Sequence, residues 1–285
     1  MLRLRACAKV NLVLEVLGRR EDCYHEIASI MQTIGLNDVL TFEAADETEF
    51  SCSEPELQTG DNLVLKAVRT LREATGEKAG ARIMLEKKIP LAAGLGGGSS
   101  DAAAALKGLN RLWGLGLEAD KLAEIAAGIG SDVPFFIYGG TCLAQGRGEK
   151  ITPLPDIKGA WFVLLQPGLA VPVNKTAVLY GMLKPEHYSG GSLACGAAER
   201  LKKGETGADM YNTFDSVAAE AYLGLGRYRE AMEKAGAEKT HLAGSGPLLF
   251  SMFHNQQAAL AVQAKLLQIN MDSILAPSVT RDEAG

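Results

Sequence analysis

The segment from Lys87 to Asp101 constrains the fold of this chain most strongly, because it joins a strand-like run to a helix-like run through glycines and serines. The turn from Gly94 to Ser100 contains four glycines and two serines, and an alanine-rich run follows it. Glycine reaches positive φ and lets a ligand approach the backbone. A helix N-terminus attracts anions, phosphate above all, through its unpaired N–H groups. The segment therefore predicts a phosphate-binding loop.

This loop matches neither of two familiar phosphate-binding patterns. Gly-x-x-x-x-Gly-Lys-Ser/Thr does not occur in the chain, and Ser99 stands where Gly-x-Gly-x-x-Gly needs its third glycine. A flexible linker is the alternative interpretation, since Gly and Ser often form one. Linkers are not normally flanked by an apolar strand and a strong helix former. We therefore expect a phosphorylated ligand here.

Charge and cysteine content exclude several classes of protein. The net charge of −5 argues against nonspecific nucleic-acid binding, although Lys87 and Lys88 offer a local anion site. No apolar run is long enough to span a membrane, and Lys9, Asn11 and Glu15 interrupt what would be a signal peptide. The five cysteines are odd in number and scattered, as in reduced cytoplasmic proteins. We expect a cytoplasmic protein with neither nucleic-acid nor membrane partners.

Strand and helix patterns alternate irregularly, which favours an α+β fold over a doubly wound sheet. Strands are predicted over 2–17, 38–53, 81–89, 161–166 and 248–253, with 25–36 as strand or helix. A hairpin is predicted over 135–144, around Gly139 and Gly140. Helices are predicted over 62–75 with Asp61 as N-cap, 101–113, 118–129, 174–183, 193–203, 212–223 and 256–267. A domain boundary is expected near Pro153 to Pro155.

Lys9 is the first candidate for chemistry, because it interrupts an apolar strand-like run and a buried ammonium needs a partner. Asn11, two residues on, points to the same strand face. The alternative is an edge-strand lysine that faces solvent. Two polar groups on one face of an apolar strand favour a site.

Asp132 lies in a Gly-Ser-Asp-Val-Pro turn, where Asp also serves locally as an N-cap or Asx-turn. Tyr24 and His25 follow a charged turn, where they either bind a flat base or simply decorate the surface. A carboxylate, a lysine and a phosphate loop form a coherent set for phosphoryl transfer. Asp132 would accept the proton of the acceptor hydroxyl, and Lys9 would keep Asp132 ionised or stabilise the moving phosphoryl group.

Taken together, these segments resemble the GHMP kinases, which include galactokinase, homoserine kinase and mevalonate kinase. Residues 90–100 are similar to the family's Pro-x-x-x-Gly-Leu-Gly-Ser-Ser phosphate loop, and residues 242–246 to its third motif. Residues 8–12 (Ala-Lys-Val-Asn-Leu), 18–25 (Gly-Arg-Arg-Glu-Asp-Cys-Tyr-His) and 130–136 (Gly-Ser-Asp-Val-Pro-Phe-Phe) most resemble the members that phosphorylate a methylerythritol linked to cytidine diphosphate. The similarity spans nearly the whole chain.

The resemblance implies a two-domain α+β GHMP kinase fold with the substrate in the cleft between the domains. Residues 1–153 would form an N-terminal domain with a left-handed βαβ crossover, against the usual handedness. Residues 154–285 would form a ferredoxin-like C-terminal domain. The implied reaction moves a phosphoryl group from ATP to the 2-hydroxyl of the methylerythritol moiety, in the non-mevalonate route to isoprenoid precursors.

The resemblance also implies roles for single residues. Asp132 would be the general base and Lys9 its charged partner, while Tyr24 stacks on cytosine and His25 hydrogen-bonds to it. Asn11 and Lys87 would contact the substrate near its reacting end. The remaining implied residues are Gly244, Ser245 and Gly246 beside the substrate's diphosphate, Asn62 near adenine, and Pro90, Leu91, Ala92, Ala93, Gly94, Leu95, Gly96, Gly97, Gly98, Ser99 and Ser100 around the ATP phosphates.

Three points depart from the family pattern or stay open. Cys23 replaces the family's glycine before Tyr-His, and would be strained if that position needs positive φ. A second aromatic residue stacks on cytosine in relatives; Tyr180 is a candidate of uncertain register, outside the predicted site. Mg²⁺ is expected with ATP although no acidic ligand stands out, since Mg²⁺ often keeps water and phosphates as most of its shell.

Two alternatives remain at this stage. The same fold acting on another small alcohol, of the homoserine, mevalonate or sugar type, would not need the Tyr24-His25 pair. A catalytically silent nucleotide-binding sensor would not need both Lys9 and Asp132. We expect an enzyme that works as a monomer or weak homodimer.

Overall fold

The computed structural model describes residues 1–172, 174–205 and 209–284, which form an α+β fold with two sheets. The strands are β1 (Leu2–Arg19), β2 (His25–Ala45), β3 (Thr48–Cys52), β4 (Gly80–Glu86), β5 (Thr141–Gly146), β6 (Lys150–Pro153), β7 (Trp161–Leu165), β8 (Tyr211–Asn212), β9 (His241–Leu242), β10 (Leu249–Phe253) and β11 (Ser273–Pro277). The helices are α1 (Leu63–Thr75), α2 (Gly97–Leu112), α3 (Ala119–Ala127), α4 (Val133–Tyr138), α5 (Lys175–Met182), α6 (Ser192–Lys202), α7 (Ala218–Ala221), α8 (Leu225–Ala235), α9 (Gln256–Gln268) and α10 (Arg281–Ala284).

The first sheet has the strand order β3-β4-β2-β1-β8, and β5 joins β2 to β6. β1 and β2 pair antiparallel along nearly their whole lengths, with a register shift between Asn11 and Val13. The unit β3-α1-β4 is a parallel βαβ crossover. Helix α2 packs against α1 and across β1 and β2, where its alanines are buried. The glycine loop, residues 94–100, therefore lies at the start of a central, buried helix.

The second sheet has the order β11-β7-β10-β9, and every pairing in it is antiparallel. Counted along the chain these are strands four, one, three and two, which is the ferredoxin-like arrangement. The expectation of a ferredoxin-like C-terminal part is confirmed. Its helices include α9, which connects β10 to β11 and packs on β7.

Two backbone pairings connect the C-terminal half of the chain to the first sheet. β8, from the C-terminal half, pairs in parallel with β1 and extends the first sheet, with Tyr211 opposite Val13 and Asn212 opposite Leu14. Ile34 of β2 also forms an antiparallel bridge with Ser278, just after β11. The C-terminal half thus completes the edge of the N-terminal sheet.

Several local predictions were wrong. Residues 135–138 belong to helix α4 rather than to a hairpin strand, because the run 133–137 is apolar and buried throughout and so carries no period that separates helix from strand. Pro134 fits its first turn, where no N–H is needed. β5 pairs instead with β2 and β6. Asn62, not Asp61, is the N-cap of α1.

Two further boundaries moved. α2 begins at Gly97, four residues before the predicted start, so both serines of the loop lie in its first turn. The predicted helix over 212–223 is a short 3₁₀ turn, Thr213–Ser216, followed by α7. Residues 25–36, open between strand and helix, are part of β2. No helix within the described residues is long and apolar enough to cross a bilayer.

Candidate active site

A cavity of about 1090 Å³, here called the cleft, is lined by residues from both halves of the chain. The predicted site residues that line it are Lys9, Asn11, Tyr24, His25, Ala92, Gly94, Gly96, Asp132, Gly244 and Ser245. They come from segments far apart in sequence, which the fold brings to one surface. A cavity of this size can bury a ligand larger than a typical drug.

Lys9 and Asp132 meet in the cleft, with Lys9 Nζ 3.4 Å from Asp132 Oδ2. The Lys9 side chain is 5% exposed and that of Asp132 is 38% exposed, so the ammonium lies beneath a carboxylate that solutes can reach. Asp132 precedes α4, yet its side chain makes no capping hydrogen bond. This geometry argues against a purely local role for Asp132 and against a solvent-facing Lys9.

A chain of hydrogen bonds orients the groups beside this ion pair. Lys9 Nζ donates to Asn11 Oδ1 (2.8 Å), and Asn11 Nδ2 donates to Ser29 Oγ (2.8 Å). The Ser29 hydroxyl donates in turn to the carbonyl of Val13 (2.6 Å). Because the serine proton is engaged there, its oxygen accepts from the amide nitrogen, which leaves Asn11 Oδ1 facing Lys9. The ammonium is thereby held between Asn11 and Asp132.

The glycine loop ends in the free N-terminus of α2. The first bond of the helical ladder runs from the Ser100 N–H to the Gly96 carbonyl (2.9 Å), so the preceding N–H groups have no partner within the helix. The Ser100 hydroxyl donates to the carbonyl of Cys7 (2.7 Å), and the Lys9 N–H to that of Leu95 (3.0 Å). These bonds fix the loop on β1, next to the lysine.

Contacts within the protein require glycine at two positions of the loop. Gly94 has φ +91°, and a Cβ there would lie 1.8 Å from the carbonyl oxygen of Ala243. Gly96 has φ +74°, and its Cβ would lie 2.7 Å from the Phe136 ring and 3.1 Å from Lys9 Cε. The loop therefore packs directly on the backbone of residues 242–246, here called the third glycine turn.

That third turn reaches the centre of the cleft. A Cβ on Gly244 would lie 3.3 Å from Lys9 Nζ and 3.4 Å from Asn11 Oδ1. Asn212 Nδ2 donates to the carbonyls of Leu242 (2.9 Å) and Gly244 (2.8 Å), which fixes the turn. The C-terminal half thus covers the Lys9–Asn11 pair with bare backbone.

Aromatic side chains gather at another part of the cleft. The His25 ring stacks on Tyr180 with 4.5 Å between centroids and 19° between planes, and Tyr188 meets it edge-on. Arg147 lies over the Tyr24 ring, 4.9 Å from its centroid, and Tyr24 itself is exposed. Burial, and secondarily the charge of Arg19, lower the pKa of His25. The imidazole is therefore neutral at pH 7.

Lys87 does not line the cleft. Its side chain is 3% exposed, and its ammonium donates to Asp38 and to Asp101 Oδ2 (2.7 Å). Asp38 also accepts from the N–H of Ile89 (2.8 Å), just before the loop. Lys87 therefore ties the strand before the loop to the helix after it, with its Nζ beneath Gly97.

Asn62 also has a structural position, since it caps α1. Its Oδ1 accepts from the Val64 N–H (2.9 Å), and its Nδ2 donates to the Leu57 carbonyl (2.9 Å). The other predicted residues outside the cleft are Pro90, Leu91, Ala93, Leu95, Gly97, Gly98, Ser99, Ser100 and Gly246. Four residues that the sequence patterns did not identify also line the cleft: Lys175, Thr176, Arg147 and Tyr188. Lys175, Thr176 and Tyr188 follow Pro172, in a segment with no period or motif strong enough to identify them, and Arg147 lies in the turn between β5 and β6.

Cys23 adopts φ +67°, the left-handed conformation that glycine occupies without strain. We expect Cys23→Gly to stabilise the protein by about 1 kcal/mol, because the left-handed region costs an L-residue about 1–2 kcal/mol. Urea unfolding measures the change. Cys195→Gly is the matched control, since Cys195 is also exposed but lies inside α6. There the same substitution should destabilise by about 0.5–1 kcal/mol. Equal effects at both sites would refute the strain at Cys23.

Comparison with known proteins identifies the family. Residues 62–140 match the model of the GHMP kinases N terminal domain, and residues 196–272 match the model of the GHMP kinases C terminal. The chain belongs to the GHMP kinase family. This GHMP kinase is 44% identical over 269 residues to the 4-diphosphocytidyl-2-C-methyl-D-erythritol kinase of Dehalococcoides mccartyi, covering 94% of this chain and 95% of that one. It is 40% identical over 272 residues to the enzyme of that name from Gloeobacter violaceus, with 93% and 89% covered.

Solved structures agree with this assignment. A crystal structure of 4-(cytidine 5'-diphospho)-2C-methyl-D-erythritol kinase superposes with a TM-score of 0.78 at 33% identity, covering 97% of this GHMP kinase and 99% of that chain. A homoserine kinase from Cytophaga hutchinsonii superposes with a TM-score of 0.71 at 18% identity, with 95% of each chain covered. The second similarity supports the fold alone.

Proposed function

We propose that this GHMP kinase transfers the γ-phosphoryl group of ATP to the 2-hydroxyl of 4-diphosphocytidyl-2-C-methyl-D-erythritol, a step of the non-mevalonate isoprenoid route. The observation that carries the proposal is the Lys9–Asp132 pair, which lies in one cleft with Gly94 and Gly96 of the glycine loop and with the aromatic residues. Relatives of that name at 40–44% identity over more than nine-tenths of the chain support the choice of acceptor.

Asp132 acts as the general base in this proposal. Its carboxylate is exposed to the cleft and accepts the proton of the acceptor hydroxyl as the oxygen attacks phosphorus. The Lys9 ammonium pairs with this carboxylate, and Asn11 holds the ammonium in place. The backbone of Gly244 lies against Lys9 and Asn11. Asn11 and this backbone contact the acceptor beside its reacting hydroxyl.

The glycine loop binds ATP. The free N–H groups at the start of α2, with residues 90–100 around them, surround the phosphates. Asn62 lies near adenine, and Lys87 acts from behind the loop by holding its two ends together. Within the described residues no group of three or more His, Cys, Asp or Glu could hold a metal ion. We expect Mg²⁺ to arrive with ATP, bound mainly by phosphates and water, and to neutralise the phosphate charge.

Tyr24 and His25 recognise the cytosine. Tyr24 offers an exposed ring that Arg147 supports from one side. His25 is neutral, so it has one donor and one acceptor nitrogen for the edge of a base. Tyr180 borders the same region and supplies the second aromatic surface.

Gly246 helps to hold the third glycine turn through its N–H, which donates to the Ala243 carbonyl (2.8 Å).

A substrate panel tests the proposal directly. Purified protein with Mg-ATP should phosphorylate the cytidine conjugate and leave homoserine, mevalonate and simple sugars unchanged. Turnover of one of those alcohols without turnover of the conjugate would refute the acceptor. ATP binding without phosphoryl transfer to any alcohol would favour the sensor alternative.

His25→Ala tests the recognition of the base. We expect the KM for the cytidine conjugate to rise about 10-fold, the equivalent of one hydrogen bond of about 1.4 kcal/mol, with the KM for ATP unchanged. Steady-state kinetics with each substrate varied in turn measures both constants. His254→Ala, at an exposed histidine after β10, is the control and should change neither. An equal rise in both KM values would contradict a role in base recognition.

Other expectations complete the proposal. The domains run from 1 to 153 and from 154 to 285, close to where the chain passes from β6 to β7. The enzyme works in the cytoplasm as a monomer or weak homodimer and without nucleic-acid partners. All five cysteines lie in the described residues and are free thiols, in agreement with a reducing compartment.

A further inference from the structure

Lys175 is a second lysine in the cleft, at the first residue of α5. Its ammonium donates to Ser245 Oγ (3.1 Å), a neutral partner in the third glycine turn. Thr176 Oγ1 lies 2.8 Å from the same oxygen. Among the ion pairs of the described residues none includes Lys175, although every acidic side chain of the chain lies in that part. A partly buried ammonium is thus left without an ion-pair partner among the described residues.

The positive charges of Lys9 and Lys175 favour an anionic ligand beside Lys175. Burial, and then the charge of Lys9, lower the pKa of Lys175 to about 8, while Asp132 acts in the opposite direction. Two ammonium groups therefore share the single carboxylate of Asp132. Among the described residues, the side-chain hydrogen bond of Lys175 goes to the Ser245 hydroxyl, which does not neutralise this positive charge. An anionic ligand that approaches Ser245 would compensate it.

The position of Lys175 along α5 indicates which anion this is. Tyr180, which stacks on His25 among the aromatic residues, lies five residues further along the helix, about 7.5 Å at the helical rise of about 1.5 Å per residue. Lys175 lies close enough to Lys9 and Asp132 for their charges to act on it, and its partner Ser245 follows Gly244, which lies against Lys9. In a nucleotide-linked alcohol the diphosphate is the anion between the base and the reacting hydroxyl. Lys175 lies between the residues proposed for those two ends.

We propose that Lys175, together with Ser245, binds the diphosphate of the acceptor substrate and thereby sets the distance between the bound base and the hydroxyl at Asp132. This inference rests on the proposed function and adds to it a specificity residue for diphosphate-linked alcohols. The γ-phosphate of ATP is the competing anion, and the test separates the two.

Binding of cytidine and of CDP, measured by titration calorimetry, isolates the diphosphate. The native enzyme should bind CDP more tightly than cytidine. Lys175→Met, which removes the charge and keeps most of the side-chain length, should reduce that advantage about 10-fold or more and leave cytidine affinity unchanged. Lys175→Arg should restore most of it. An undiminished CDP advantage in Lys175→Met would refute the inference, whereas failure of the native enzyme to bind cytidine would refute the proposed function instead.

Kinetics and thermal melting add independent readouts. Lys175→Met should raise the KM for the cytidine conjugate at least about 10-fold, with the KM for ATP within about twofold of native. Its melting temperature should rise without ligand, because a buried, uncompensated charge has been removed. A rise in the KM for ATP alone would assign Lys175 to the nucleotide, and a lower melting temperature would make it a structural residue; both overturn the inference. Lys184→Met, at an exposed lysine beyond the other end of α5, is the control and should change none of these quantities.

Discussion

Asp132→Asn is expected to lower kcat by about 10²- to 10⁴-fold, the range that a positioned general base contributes. The asparagine keeps the size of the side chain and its place above Lys9, but its amide cannot take the proton of the acceptor hydroxyl. Binding of both substrates should stay within about threefold of native, because the residue acts on the reacting proton. Single-turnover kinetics at saturating substrate, with calorimetric titration of ATP, measures both effects.

Asp61→Asn is the control for this substitution. Asp61 is exposed, lies just before the N-cap of α1 and does not line the cleft. Its replacement should leave kcat unchanged. If Asp132→Asn kept more than about a tenth of the native rate, catalysis would rest on positioning and charge neutralisation alone. Asp132 would then lose its role as base, while the fold and the family would be unaffected.

Lys87→Met is expected to destabilise the protein by about 3–5 kcal/mol, because removing one member of a buried ion cluster leaves the other charges uncompensated. Asp38 and Asp101 are both fully enclosed, and Lys87 is the cation that they share. Burial raises the pKa of Asp101 to about 7 even with Lys87 present, with the charge of Asp38 adding to the shift. Without the ammonium, Asp101 must take up a proton or the loop must open to water. Urea unfolding at pH 7.5 measures the loss.

Two further variants show whether the buried cluster is responsible. Lys88→Met is the matched control, since its ammonium pairs with Glu86 on the surface, 3.0 Å away, and such a pair contributes at most about 1 kcal/mol. The double variant Lys87→Met with Asp101→Asn should recover part of the lost stability, because one of the stranded charges is gone. Equal, small effects of Lys87→Met and Lys88→Met would show that the cluster is not a stabilising anchor.

The elements closest to the chemistry could be predicted because their signals are local in sequence. Lys9 and Asn11 share a strand face because side chains alternate along a strand. The composition of the glycine loop and of the run after it predicts a helix N-terminus. Asp132 needed one long-range assumption, namely that Lys9 reaches it. The structure supplies that contact through the pairing of segments more than a hundred residues apart.

Other parts of the site depend on tertiary contacts that no local pattern encodes. Lys87 resembles a substrate-binding lysine in sequence. In the fold its ammonium pairs with Asp38, about fifty residues earlier, and lies beneath the loop. Lys175 lies in a short helix with little apolar period, so only the folded chain shows that it shares the cleft with Lys9. Helix α4 was missed for a related reason, since a fully buried run looks the same in either secondary structure.

The pairing of β8 with β1 has a consequence for protein engineering. Because Tyr211 and Asn212 complete the edge beside Val13 and Leu14, a fragment that ends near residue 153 would expose unpaired strand groups and invite aggregation. Asn212 also holds the third glycine turn, so the same two-residue strand couples that edge to the cleft. Chimaeras that exchange halves between relatives at residue 153 should therefore express poorly unless the partner half brings a matching β8. An exchange of halves must therefore preserve a strand pairing that crosses from the C-terminal half to the first sheet.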